Sequence, residues 1–184
     1  EEACKAAINW ALNGLYAGRR DLYQRMPFDA SSRVYSDDNT SRIHYLLSRQ
    51  VAVSAGEYLY RQHEASATHR FDLRRLDFLA ANRSLRSLLE RYHANTELLS
   101  ACEEHCWRNF VGLYLQFRRH WCAFSPQAHQ QIRDAFKASL QAMHPERLPR
   151  GLRWSPSWLF VRPFSLFCAY RRLLNGLKKI FKPI

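Results

Sequence analysis

From residue 71 onward, apolar residues return at helical intervals. Phe71, Phe78, Leu85, Leu89 and Tyr92 fall on one face and predict a helix. Leu99, Cys102, Cys106, Phe110, Leu113, Phe117 and Trp121 keep the same period, so a second helix is expected over 98–122. Ser125-Pro126 pairs a capping hydroxyl with a proline suited to a first helical turn. Ile132, Phe136 and Leu140 carry that third helix to about Met143. Pro145, Pro149, Gly151 and Pro156 predict a linker. The last segment sets Leu166, Phe167, Tyr170, Leu173, Leu174, Leu177 and Phe181 on one side. Arg171, Arg172, Lys178, Lys179 and Lys182 lie on the other, which makes 164–184 an amphipathic tail. Pro163 and Gly176 argue against one long rigid rod there.

Before residue 71 the texture is mixed. Residues 4–17 suit a helix or a strand and turn, 19–23 tolerate a helix, and 26–32 read as a loop. Asp37 or Asp38 can cap a helix that runs to about Ser48 with Ile43, Leu46 and Leu47 inward. Val51-Ala52-Val53 and Tyr58-Leu59-Tyr60, split by Ser54-Ala55-Gly56, read as two brief strands and a turn. A polar loop follows over 62–69. The expectation is therefore an α/β piece over 1–70, with few short strands, followed by a mainly helical piece over 71–184. No internal repeat is visible.

Composition narrows the class. In 184 residues, 47% are hydrophobic and 24% charged, which excludes disordered and low-complexity chains. No run of 18 apolar residues offers a transmembrane helix. Glu1 and Glu2 do not open a signal peptide, and the absence of an initiator Met suggests a trimmed chain or a piece of a longer one. The net charge of +12 is uneven. Residues 1–106 hold fourteen residues of each sign, whereas 107–184 carry fourteen Lys and Arg against Asp134 and Glu146 alone. An Arg-rich half favours anionic partners, whether phosphates, nucleic acid or a lipid surface. Phe117-Arg118-Arg119-His120-Trp121 would suit a non-enzymatic module on nucleic acid or anionic membrane. No helix-turn-helix, zinc-finger or RNA-binding signature supports nucleic acid, however. Five cysteines, an odd number, point to a reducing cytoplasmic setting. Cys102-Glu103-Glu104-His105-Cys106 fits no common zinc spacing, and its cysteines fall on the core stripe of their helix.

Two segments carry candidate chemistry. Tyr35-Ser36-Asp37-Asp38-Asn39-Thr40 places two carboxylates at a helix N-terminus, where unpaired N–H groups favour the ionised form. Such a carboxylate facing a cleft can take a proton from a hydroxyl; capping is the plainer alternative. Some twenty residues on, a short strand ends in Arg61 and leads into His63, Ser66 and Thr68, a plausible anion-facing loop.

Taken in order, these segments resemble the second half of the catalytic domain of family 2 glycosyltransferases, the bacterial polysaccharide-building kind. A small, aromatic and basic stretch, Trp10-Ala-Leu-Asn-Gly-Leu-Tyr-Ala-Gly-Arg19-Arg20, precedes an acidic motif, Ser36-Asp37-Asp38. A hydrophobic pair of strands follows, and then Leu59-Tyr60-Arg61-Gln62-His63-Glu64-Ala65-Ser66-Ala67-Thr68. The likeness covers residues 8–70. It implies an inverting A-type fold, of which this chain would be the acceptor-side half. It implies Asp38 as the general base that deprotonates an acceptor hydroxyl, with Asp37 where the family carries Glu. It places Arg61 and His63 on the loop that approaches the nucleotide diphosphate or its metal, His63 being a candidate metal ligand. Trp10 and Arg20 fall on the acceptor side. A divalent metal, Mg or Mn, is the implied cofactor, and the partners are a nucleotide-sugar donor and a glycan or lipid-linked acceptor. A peripheral place on the inner face of the plasma membrane would follow for a tail bound to anionic lipid. The departures are as informative. No D-x-D motif, P-loop or G-x-G-x-x-G occurs, so this chain alone is expected to be inactive.

Overall fold

The computed structural model describes residues 1–12, 16–32, 35–56, 59, 71–154 and 164–180. Among these residues regular backbone is helical throughout, in eight α-helices and three short 3₁₀ turns. The helices are α1 (Glu2–Ile8), α2 (Arg20–Arg25), α3 (Asp37–Leu47), α4 (Asp77–Arg91), α5 (Thr96–Arg119), α6 (Pro126–Gln141), α7 (Arg150–Arg153) and α8 (Phe164–Ile180).

That finding overturns the α/β reading and the A-type glycosyltransferase domain with it. Among the described residues there is no strand and no sheet. Residues 51–56 are irregular, and Val53 and Leu59 are 81% and 90% exposed. The physical reason is that β-branched and aromatic residues favour strands only where a neighbouring strand supplies a ladder and a face to pack on. Nothing among the described residues offers either. The expected linker after Met143 is also corrected. Pro145–Arg147 is a 3₁₀ turn, Arg150–Arg153 is a helical turn, and Leu148 between them is buried.

The helix starts follow their caps. The Asn95 side chain accepts from the Leu98 N–H at 2.8 Å and opens α5. Ser125 accepts from the Ala128 N–H at 3.2 Å and, with Pro126 in the first turn, opens α6. Asp72 accepts from the Arg74 N–H and starts the 3₁₀ turn Leu73–Leu76 that leads into α4.

Helix α5 is the axis, because its apolar stripe serves two clusters. Leu98, Cys102 and Cys106, in its first half, pack with Cys4 and Ile8 of α1, Ile43 of α3, and Leu85 and Leu89 of α4. Trp107, Phe110, Leu113, Tyr114 and Phe117, further along, pack with Ile132, Phe136 and Leu140 of α6 and Phe167 of α8. Each large side chain buried in this way contributes about 1.5–3 kcal/mol. The first cluster draws on residues from both sides of position 70, so α1 and α3 share a core with α4 and α5.

Candidate functional site

Helix α3 begins at Asp37, with Ser36 at its N-cap. Neither aspartate caps: no side-chain cap hydrogen bond is present, and Asp37 and Asp38 occupy the first turn. Asp37 is exposed and Asp38 is half-buried. The Asp38 carboxylate makes no hydrogen bond among the described residues; only its backbone carbonyl accepts, from Ser41 Oγ. Burial raises the Asp38 pKa, opposed by the cation of Arg42 and assisted by Asp37.

Arg42 lies one turn further on the same face. It is 4% exposed, and burial lowers its pKa against the support of Asp38. Its guanidinium donates to Asn39 Oδ1 at 3.3 Å and sits 5.3 Å from the centre of the Trp10 ring. Trp10 follows the C-terminus of α1 at φ 61°, in the left-handed region that costs a tryptophan about 1–2 kcal/mol. The Ala11 and Leu12 N–H groups return to the Ala6 carbonyl and close the turn. The indole remains 46% exposed, 6.3 Å from the His105 ring. The result is a carboxylate with free acceptor capacity, a buried cation and a half-open aromatic face, held by α1, α3 and α5.

Behind this group a polar seam runs along α5. The His105 pKa falls to about 4 because burial disfavours the imidazolium, and the Arg42 charge adds to the effect. Its Nε2 accepts from Asn109 Nδ2 at 3.0 Å, and Asn109 also donates to Asn82 Oδ1. Further along, Arg86 Nε donates to Glu103 Oε2 at 2.8 Å with both side chains buried. Glu103 Oε1 accepts the His144 N–H at 3.1 Å. The two terminal nitrogens of Arg86 are buried without hydrogen-bond partners.

On the other side of α3 an open cleft of about 1220 Å³ runs past Tyr16, Arg19, Arg25, Tyr45 and Arg49. Its wall is fixed by His44. A carbonyl can only accept, so His44 Nε2–H donates to Met26 O at 2.7 Å, and Nδ1 accepts the Tyr16 hydroxyl at 2.8 Å.

The structure thus joins Asp38 and Trp10 through Arg42. Arg20, exposed at the first position of α2, takes no part in that group. Arg61 and His63, and with them the diphosphate loop and the candidate metal ligand, lie outside the described residues. Among the described residues no three His, Cys, Asp or Glu side chains are grouped to hold a metal. With Arg42 beside it, Asp38 is not placed to hold a divalent ion, and the candidate metal ligand, His63, lies outside the described residues. Cys102 and Cys106, 3.9 Å apart through sulfur, are buried free thiols of the core. Sequence reasoning passed over Arg42 and weighed His105 only within the Cys102–Cys106 segment, although the Asp38-to-Arg42 spacing of four is a readable same-face signal. No described helix is long and apolar enough to cross a membrane. No protein-family model, curated protein or solved structure matches the chain.

Proposed function

We propose that this chain carries the catalytic base and part of the acceptor surface of an inverting nucleotide-sugar glycosyltransferase. The observation that carries the reading is the Asp38 carboxylate: half-buried, raised in pKa, committed to no cap or ion-pair hydrogen bond, and one helical turn from Arg42, which lies by a half-open indole. A carboxylate in that state has acceptor capacity left for a substrate hydroxyl. Its raised pKa brings it nearer to the proton it must accept. The apolar face of a pyranose ring packs well against an indole such as Trp10, which has an exposed face to offer. The order of motifs over residues 8–70, which resembles family 2 transferases in sequence although the described residues lack their A-type sheet, suggests the reaction: the deprotonated hydroxyl attacks the anomeric carbon, the carbon–oxygen bond to the diphosphate breaks, and configuration inverts. Arg42 would hold the Asp38 charge in place and Trp10 in register. No step is assigned to a metal.

The test uses the polypeptide expressed from its natural gene, assayed in its host membranes with labelled nucleotide sugars. Asp38→Asn keeps the size of the side chain and removes the base, so transfer should fall by about 10²–10⁴-fold while the unfolding midpoint holds. The acidic limb of the wild-type pH–rate profile should lie above the ordinary aspartate range. Unchanged transfer in Asp38→Asn would sink the assignment.

A second reading is favoured by a separate observation, the exposed apolar row on α8. Leu166 and Leu173 are 48% and 63% exposed, and Ala169 between them is exposed too. In this reading the helix rests on an anionic lipid surface, with exposed Arg172 next to the row. Co-sedimentation with anionic vesicles, compared with neutral ones, tests it; equal and weak binding to both would refute it.

A further inference from the structure

Between α5, α6 and α8 lies a groove of about 390 Å³. Its floor is apolar: Phe117, Ile132 and Phe136 are buried core residues, and burial, with a hydrogen bond to Cys168, raises the pKa of Tyr114 beside them. Trp121 forms one end, stacked at 3.9 Å on His129 with Arg133 6.0 Å from its ring centre. The charged residues lining the groove are Arg118, Arg133, Lys137 and Arg172, all cations. The nearest acid on α6, Asp134, is engaged by the Gln130 amide at 2.9 Å.

The residues of α8 sort into three rows by helical spacing. Phe167 points into the core. Ser165, Cys168 and Arg172 face the groove. Leu166, Ala169 and Leu173 face outward. The groove row and the outward apolar row are adjacent, so the groove opens beside the most exposed apolar strip of the helix. A volume in the range of small-molecule sites, an apolar floor and a rim of one sign specify a ligand with a hydrocarbon tail and a negative head.

We propose that this groove binds a single-chain anionic amphiphile, its tail on Phe117, Ile132 and Phe136 and its phosphate or carboxylate among Arg118, Arg133, Lys137 and Arg172. The site stands apart from Asp38 and does not depend on the transferase reading.

The experiment is calorimetric titration of the protein with decyl phosphate and with decanoate, each below its micelle concentration, and with inorganic phosphate and decanol as separated head and tail. Alkylation of Cys168 is followed in a Cys122→Ser background, since Cys122 is exposed and would otherwise react. One molecule of amphiphile per chain should bind, protect Cys168 and outcompete both separated pieces. Comparison of the two heads tells phosphate from carboxylate. Arg118→Gln with Arg172→Gln should weaken binding by about 30-fold, at roughly 1 kcal/mol for each basic residue. Ser165→Trp, at an exposed position on the mouth, should abolish it without disturbing the core. The proposal is overturned by inorganic phosphate binding as tightly as decyl phosphate, by binding that both variants leave unchanged, or by self-association of the chain with no amphiphile bound.

Discussion

The Arg86–Glu103 pair sets up a quantitative test of what holds α4, α5 and the turn after α6 together. Both side chains are almost fully buried, at 5% and 1% exposure, and Glu103 takes a second hydrogen bond from the His144 backbone. Glu103→Ala leaves an unpaired guanidinium in the interior. Breaking one partner of a buried pair costs about 3–5 kcal/mol. It also orphans the His144 N–H, at about 1 kcal/mol or more. The sum, about 4–6 kcal/mol, is a large share of the 5–15 kcal/mol that holds a typical domain folded. Urea unfolding followed by far-UV circular dichroism should show the midpoint falling by about 2 M. Removing both charges at once, as Arg86→Met with Glu103→Leu, takes away the stranded ion and should return most of the loss. The decisive comparison is between the single and the double variant. Should Glu103→Ala cost less than about 1 kcal/mol, or the double variant be no better than the single, then the buried charge is not what makes the position sensitive.

Two further predictions concern the same scaffold. His105 is neutral in the fold, with its pKa held near 4, whereas an unfolded histidine titrates near 6.5. Stability from this residue is therefore complete above 6.5 and lost as pH falls toward 4; between pH 7 and 4.5 the loss is about 2–3 kcal/mol. His105→Gln, whose side-chain oxygen can still accept from Asn109, should flatten that stretch of the stability curve in urea titrations; an unchanged slope would show that other groups set it. Asn95→Ala and Ser125→Ala each remove a cap worth about 0.5–2 kcal/mol. Asn95 also donates to Glu1, so its loss should lower the melting temperature more than loss of Ser125 does; equal shifts would mean that Glu1 contributes nothing.

The helical half was readable because its pattern is local. The face through Leu85 and Leu89, the stripe from Cys102 to Phe117, and Ser125-Pro126 as a start signal are all present as helices and caps in the structure. The first half misled for a physical reason. Three-residue runs such as Val51-Ala52-Val53 carry β propensity, but among the described residues no partner strand lies beside them to make it count. The candidate site was half legible. Asp38 announced itself as an acid at a helix start. Its partner Arg42 was visible in spacing, but the indole that meets Arg42 comes from another helix and a left-handed turn at Trp10, which no one-dimensional period encodes. Arg86 and Glu103 are seventeen residues apart, and only the packing of α4 on α5 brings them together.

The short α1 helix acts as a lid on sulfur chemistry. Cys4 on its inward face, with a thiol pKa pushed up to about 12 by burial, lies in one cluster with Cys102 and Cys106 of α5. Its outer tethers are surface contacts, Lys5 to Glu97 and Glu1 to Asn95, across more than ninety positions of chain. Contacts so exposed to water add little, and the helix is held mainly by buried Cys4, Ala7 and Ile8. With α1 seated, none of the three thiols faces solvent, so an oxidant can reach Cys4 only through opening of that helix, whatever the intrinsic reactivity of its sulfur.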